Sequence, residues 1–196
     1  MKQTMPVILA SASPRRKEIL SMLGVSFDVE VSKTEEVTIQ TEPDEIVKDL
    51  ASQKAAAVAK NHIKENCMII GSDTIVWLNG RVLGKPADEA EAKQMLTELS
   101  GNIHSVHTGV CIIKCENGKM TKTCFADKAD VTFAEMDEEE IDWYVSTGEC
   151  KDKAGAYAVQ GLGGRFVKGI CGDFYTVMGL PMAALYEELR RCHLFR

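Results

Sequence analysis

The chain passes from strand to helix within ten residues, Val7-Ile8-Leu9-Ala10-Ser11-Ala12-Ser13-Pro14-Arg15-Arg16. The apolar residues at its start are typical of a buried strand. Ser13 is a good helix N-cap, and the proline after it suits the first helical position. The hydroxyls of Ser11 and Ser13 and the guanidiniums of Arg15 and Arg16 therefore gather at the positive end of a helix. This arrangement predicts a phosphate site, although a capped helix with solvated arginines is an equal alternative for this motif alone.

The composition fits one domain, residues 1–196, that is large enough to bury a core and to form two lobes. Apolar residues make up 45% of the chain, and 23 basic against 29 acidic residues give a net charge of −6. Such a chain does not attract nucleic acid by bulk charge, and no apolar run approaches the roughly 20 residues of a membrane span. We therefore expect neither nucleic acid nor membrane as a partner. A polyanion would need a local basic cluster or a metal ion.

The cysteine content indicates free thiols. The chain has seven cysteines, an odd number, and no signal-peptide pattern, so we expect a reducing, cytoplasmic environment. We interpret Cys111 and Cys115 as small hydrophobes of an apolar strand. No Cys-x-x-Cys occurs, and His104 and His107 have no obvious third ligand, so we expect no structural zinc site.

Strand and helix patterns alternate along the chain, which predicts an α/β fold with a mixed sheet and a β-rich lobe. Hairpin turns are expected at Asn79-Gly80, followed by a short return strand, and at Glu116-Asn117-Gly118-Lys119. The predicted strands cover residues 7–10, 27–31, 68–70, 75–78, 105–114 and 120–133. The predicted helices cover residues 14–23, 44–60, 87–99, 137–146 and 181–191.

Three charged residues stand where the local pattern does not explain them. Lys54 lies inside the apolar stripe of the second helix, so it either extends to water or meets an anion. Asp73 interrupts a buried strand, where a carboxylate needs a cation, a metal or hydrogen-bond donors; a bulge in the strand is the structural alternative. Lys85 follows the Asn79-Gly80 turn, so strand pairing can bring it close to Asp73.

Together these motifs resemble the Maf family of nucleoside triphosphate pyrophosphatases. Each motif is weak alone, but the six keep the family order and extend over nearly the whole chain, from Leu9 to about Pro181. They are Ser11-Ala12-Ser13-Pro14-Arg15-Arg16, Glu35-Glu36, Lys54-Ala55, Gly71-Ser72-Asp73-Thr74, Gly84-Lys85-Pro86 and Asp152-Lys153-Ala154-Gly155-Ala156-Tyr157-Ala158-Val159-Gln160-Gly161. With Arg15, Thr74 and Gln160 at these motif positions, the chain resembles the dTTP/UTP pyrophosphatase branch of the family.

The resemblance implies a mixed twisted sheet with flanking helices and two lobes around a deep cleft, related to the inosine triphosphate pyrophosphatase architecture. It implies a house-cleaning hydrolase that converts dTTP, UTP or modified pyrimidine nucleotides to a nucleoside monophosphate and pyrophosphate. It also implies a divalent cation, Mg²⁺ or Mn²⁺, and a homodimer.

The resemblance makes Asp73 the catalytic proton acceptor and Arg15, Thr74 and Gln160 the specificity residues. The Gln160 amide can accept a hydrogen bond from N3–H and donate one to O4 of uracil and thymine, provided that it is held in one orientation. Phosphate binding is expected for Ser11, Ser13, Arg16, Lys54 and Lys85. Metal binding is expected for Asp73 and Glu36, with Glu35 as the alternative to Glu36.

Two other functions remain open at this point. One is a non-catalytic nucleotide sensor that regulates a division or stress partner, and the other is a pyrophosphatase for methylated GTP. Thr74 and Gln160 disfavour the second. A P-loop kinase or GTPase is unexpected because the chain has no Gly-x-x-x-x-Gly-Lys-Ser/Thr motif.

Overall fold

The computed structural model describes residues 2–32 and 37–196. Its strands are β1 (Val7–Leu9), β2 (Phe27–Val29), β3 (Cys67–Leu78), β4 (Arg81–Leu83), β5 (Ile103–Glu116), β6 (Lys119–Phe133) and β7 (Val167–Cys171). Its α-helices are α1 (Pro14–Met22), α2 (Pro43–Ala59), α3 (Glu89–Leu99), α4 (Glu138–Ser146), α5 (Phe174–Met178) and α6 (Met182–Arg191). In this part of the chain, no helix combines the length and apolar character that crossing a membrane requires.

The strands form one mixed sheet in the order β2-β1-β3-β5-β6-β7, with β4 paired to β3 off this path. β1 runs parallel to both of its neighbours, so that Leu9 lies opposite Val29 on β2 and Ile70 on β3. β4 is antiparallel to β3, and β7 is antiparallel to β6. The predicted α/β class with a mixed sheet and flanking helices is therefore confirmed.

The chain divides into two compact units. The first unit comprises the residues up to Asp73, Thr108–Asp127 and Gly179–Arg196, and the second comprises Thr74–His107 and Lys128–Met178. The expectations of a deep cleft and of one domain over residues 1–196 stay predictions.

Helix α2 packs closely on the sheet of the first unit, because two glycines leave room for its backbone. A Cβ atom on Gly71 of β3 would lie 2.4 Å from the carbonyl oxygen of Ala51 and 2.8 Å from the backbone nitrogen of Ala55. A Cβ atom on Gly109 of β5 would lie 2.2 Å from the carbonyl oxygen of Val47. The absence of side chains at these two points fixes how near α2 lies to β3 and β5.

The core of the second unit contains a cluster of rings. His104 lies edge-on against Phe133 and Tyr157, with ring centroids 5.1 Å and 5.4 Å apart. Its Nε2 atom forms a 2.8 Å hydrogen bond with the Tyr157 hydroxyl. Burial lowers the pKa of His104 to about 4, so this histidine is neutral near pH 7. The interpretation of His104 as an ordinary strand histidine is consistent with these contacts.

Most predicted elements are present, and the main differences concern β3, β2, β7 and α5. The two short strands expected at 68–70 and 75–78 are one continuous strand, β3, which runs through Asp73. β2 stops at Val29, two residues early. β7 and α5 were missed. β7 lacks an alternating pattern because its sequence is Val-Lys-Gly-Ile-Cys, and α5 has only five residues, too few for a helical repeat.

Replacing Gly71 with alanine should lower the free energy of unfolding by about 1–3 kcal/mol, because the new methyl group meets backbone atoms of α2 that cannot rotate away. Urea denaturation of the purified protein measures the change. Gly169→Ala is the matched control, since a Cβ atom there meets nothing within 4 Å. Equal stability of the Gly71→Ala variant and the wild type would contradict the close packing of α2.

Candidate active site

The loop between β1 and α1 is organised by its own side chains. Ser13 caps α1, and its hydroxyl accepts the backbone N–H of Arg16 at 3.5 Å. The Ser11 hydroxyl is buried and accepts hydrogen bonds from the Ser13 backbone N–H at 3.3 Å and from Nη1 of Arg16 at 3.2 Å. The predicted strand–loop–helix arrangement is confirmed. Arg15 lies half-buried on the first turn of the same helix.

A carbonyl group near the start of the last segment ties this loop to β3. The carbonyl oxygen of Gly179 accepts a 2.9 Å hydrogen bond from Nε of Arg16 and a 3.0 Å hydrogen bond from the hydroxyl of Ser72. Ser72 is completely buried and directly precedes Asp73. The loop after β1 and the middle of β3 are thereby held together on one side of the first unit.

Lys54 and Asp73 form an ion pair in the first unit. Nζ of Lys54, on α2, contacts Oδ1 of Asp73, on β3, and the two side chains are only 17% and 15% exposed. Of the two alternatives for Lys54, extension to water or contact with an anion, the structure shows the second, and the anion is Asp73. Each charge supplies the partner that the other needs away from water.

The parallel pairing of β1 with β3 places the ion pair near the phosphate-site candidate. Leu9 lies opposite Ile70, and the backbone N–H of Ala10 donates to the carbonyl oxygen of Ile70 at 2.8 Å. The β1–α1 loop thus leaves the sheet beside the part of β3 that carries Ser72 and Asp73. We call Ser11, Arg16, Lys54, Ser72 and Asp73 the Asp73 cluster.

Three further predicted residues, Thr74, Lys85 and Gln160, belong to the second unit. Thr74 is half-buried on β3, and Lys85 is exposed two residues beyond β4. The turn before β4 has the predicted form, since both Asn79 and Gly80 have positive φ angles, 50° and 80°. The approach of Thr74, Lys85 and Gln160 to the Asp73 cluster stays a prediction.

The segment that carries Gln160 is attached to the β3–β4 hairpin. The backbone N–H of Gly155 donates to the carbonyl oxygen of Gly84, next to Lys85, at 3.0 Å. Gly155 has a φ of 67°, and a Cβ atom on it would lie 2.9 Å from Cγ2 of Val76. Only glycine suits this position, so its place in the motif has a structural cause. Gln160 follows on an exposed part of the same segment.

A carboxylate that the sequence analysis missed holds the loop after Gln160. Glu149 accepts hydrogen bonds from the backbone N–H groups of Leu162 and Gly163, each at 2.9 Å, and from the hydroxyl of Tyr144 at 2.8 Å. Burial alone would raise the pKa of Glu149, but these hydrogen bonds outweigh it and lower the pKa below its ordinary value. Glu149 is therefore ionised near neutral pH and fixes the loop directly after Gln160.

The chemistry of the Asp73 cluster fits a hard divalent cation. A carboxylate oxygen is the ligand that Mg²⁺ and Mn²⁺ favour, and Mg²⁺ often takes only one or two carboxylates together with phosphate oxygens. Asp73 supplies one such group. Glu36 and Glu35, the candidates for the second carboxylate, lie outside the described residues.

The chain was compared with known proteins. The family model described as Maf-like protein matches residues 6–192. The dTTP/UTP pyrophosphatase of Bacillus mycoides (strain KBAB4) is 50% identical over 186 residues, 94% of each chain, and that of Bacillus thuringiensis subsp. konkukian (strain 97-27) is 49% identical over 96% of each. The Staphylococcus aureus Ham1 protein shares the fold, with a TM-score of 0.52 at 15% identity over 95% of this chain and 98% of its own. The match of a Maf-like family model to almost all of the sequence, together with relatives of about one-half identity, shows that this chain belongs to the Maf-like protein family.

Proposed function

We propose that this chain is a nucleoside triphosphate pyrophosphatase that hydrolyses dTTP and UTP, and modified pyrimidine nucleotides, to the monophosphate and pyrophosphate. Two relatives of 50% and 49% identity bear the name dTTP/UTP pyrophosphatase. The observation that carries the proposal is the ion pair of Lys54 and Asp73 beside a capped helix start. It combines a base, a phosphate-binding cation and an anion-binding helix end.

In the proposed reaction a water molecule attacks the α-phosphorus. A bond forms between the water oxygen and this phosphorus, and the bond from the α-phosphorus to the oxygen that bridges to the β-phosphate breaks. Pyrophosphate leaves with that bond's electron pair. Asp73 orients the water and accepts its proton, because a carboxylate away from bulk water is a suitable general base when it lies within hydrogen-bond reach.

Lys54 links substrate binding to the activation of this base. Before substrate binds, its ammonium group is engaged by Asp73. A triphosphate carries several negative charges, so the ammonium group gains by moving to a phosphate oxygen. That transfer releases the Asp73 carboxylate for the water while the positive charge stays beside the reacting phosphate. The ion pair therefore keeps the Asp73 carboxylate occupied by Lys54 until the phosphate groups of a substrate bind Lys54 instead.

The other expected phosphate ligands neutralise the charge that develops on the leaving group. Ser11, Ser13 and the N-terminus of α1 offer donors in the first unit, and Arg16 is held there by Gly179 and Ser11. Lys85 is the candidate from the second unit. A divalent cation, when bound by Asp73 and Glu36, would polarise the phosphate oxygens and lower the pKa of the attacking water.

Base selection is assigned to Arg15, Thr74 and Gln160. The Gln160 amide would accept the N3–H of uracil or thymine and donate to O4. A rotated amide would suit cytosine, so selectivity depends on holding the segment in place. The hydrogen bonds from the Leu162 and Gly163 N–H groups to Glu149 supply such a restraint directly after Gln160. We also propose a homodimer, as the resemblance implies, and a cytoplasmic location, as the cysteine content indicates.

Replacing Asp73 with asparagine should reduce turnover of dTTP at least a hundredfold, because the amide cannot accept the proton of the water. Pyrophosphate release with Mn²⁺ or Mg²⁺ measures turnover, and equilibrium titration measures nucleotide binding, which should largely persist. Asp28→Asn, at an exposed aspartate on β2, is the matched control. Near-normal turnover by Asp73→Asn would refute the assignment. Absence of pyrophosphate release by the wild type would instead favour the nucleotide sensor.

A panel of canonical and methylated nucleotides should show a preference of the wild type for dTTP and UTP over CTP and GTP. Replacing Glu149 with alanine should reduce the preference for UTP over CTP about ten- to hundredfold, because the loop directly after Gln160 loses the carboxylate that holds it. The exposed Gln160 amide is covered only when the base binds, and a mismatched amide then costs about 1–3 kcal/mol. Glu149→Gln, which keeps an acceptor for the loop N–H groups, should retain more of the preference. Glu139→Ala, at an exposed acid on α4, serves as control. A preference of the wild type for CTP, GTP or methylated GTP would overturn this specificity.

A further inference from the structure

A second group of chemically reactive side chains lies at the start of β3, away from Asp73 in the middle of the strand. The loop after α2 carries His62 and Glu65, and Cys67 is the first residue of β3. Nδ1 of His62 lies 2.8 Å from Oε2 of Glu65. One ligand atom from each of His62, Glu65 and Cys67 lies within 4.8 Å of the other two. Asp73 is six residues further along the strand, about 20 Å away at the rise of an extended chain.

We propose that His62, Glu65 and Cys67 form a binding site for a thiophilic divalent cation such as Zn²⁺, separate from the nucleotide site. An imidazole, a carboxylate and a thiolate are the three kinds of side chain that zinc takes in proteins. Three protein ligands leave the fourth position of a tetrahedron for water or another ligand. Zinc–ligand bonds of about 2.0–2.3 Å separate tetrahedral ligand atoms by about 3.3–3.8 Å. The ligand atoms of this group therefore need only small movements to reach that spacing.

Glu30 orients the histidine for this role. Nε2 of His62 lies 2.7 Å from Oε2 of Glu30, and Asn61 donates a 2.7 Å hydrogen bond to the other carboxylate oxygen of Glu30. A metal-binding histidine commonly donates its second ring N–H to a carboxylate, which fixes the ring and its tautomer. With Nε2 engaged in this way, Nδ1 faces Glu65. A cation at that place would replace the proton that joins Nδ1 to the Glu65 carboxylate.

The Cys67 thiol lies away from water, so it needs the charge of a bound cation to become a thiolate. Cys67 is 1% exposed, and burial raises its pKa to about 11. A bound cation would supply the positive charge that a buried thiolate otherwise lacks.

The backbone already holds the three ligands in a compact turn. The N–H of His62 donates to the carbonyl oxygen of Ala59 at 3.1 Å, and the N–H of Glu65 donates to the carbonyl oxygen of His62 at 2.9 Å. All three ligands fall within six consecutive residues. The spacing His-x-x-Glu-x-Cys is not a familiar zinc pattern, so the sequence alone gave no indication of the site.

Titration of the purified full-length protein with Co²⁺ tests the proposal. A cobalt–thiolate bond gives a near-ultraviolet charge-transfer band that oxygen ligands do not give, so the nucleotide site does not contribute to it. The wild type and Asp73→Asn should both develop the band, and Zn²⁺ should abolish it by displacement. Cys171→Ala, at an exposed cysteine outside the group, should retain it.

Three variants of the ligands should lose or weaken the band. Cys67→Ala should lack it, and His62→Gln and Glu65→Gln should require at least tenfold more Co²⁺. Glu65 is exposed, so Glu65→Gln tests the site even where the change at buried Cys67 disturbs folding, which circular dichroism would reveal. A wild type without the band, a band that disappears in Cys171→Ala, or unchanged affinity in both His62→Gln and Glu65→Gln would overturn the proposal.

Discussion

The ion pair of Lys54 and Asp73 holds the candidate active site in its present form. Both side chains are largely shielded from water. Neither charge is favourable alone at such low exposure, because moving a charged group out of water costs more free energy than its packing contacts contribute. Paired, they place an ammonium group and a carboxylate beside the loop that leaves β1. When a triphosphate binds, we expect Lys54 to leave Asp73 for the phosphate groups, because they carry a higher density of negative charge than one carboxylate. In the function that we propose, this competition converts the resting site into a reactive one.

The pair depends on the packing of α2 against the sheet. Gly71 and Gly109 have no side chains to separate the helix from β3 and β5, and the alanines at positions 51 and 55 of α2 are completely buried. With a thicker interface, Lys54 would reach water rather than Asp73. Gly179 makes a second connection, because one carbonyl oxygen holds both Arg16 and Ser72. Residues distant along the chain are thus positioned by small side chains and one backbone group.

Local signals predicted much of this structure, and tertiary contacts account for what they missed. The Ser13 cap and the Asn79-Gly80 turn depend on their own few residues, so the sequence identifies both. Lys54 and Asp73 were recognised as misplaced charges, yet their pairing needed the orientation of α2 over β3. Glu149 escaped notice because its partners are backbone N–H groups 13 and 14 residues away. The group of His62, Glu65 and Cys67 shows the same limit, since its geometry depends on Glu30, 32 residues before His62.

A crystal structure of the protein with a non-hydrolysable UTP analogue tests the role of the ion pair most directly. We expect that Lys54 leaves Asp73 for a phosphate oxygen and that the Asp73 carboxylate faces the α-phosphorus through a water molecule or a metal ion. A bound triphosphate that contacts neither residue, with the Lys54–Asp73 pair intact, would contradict it.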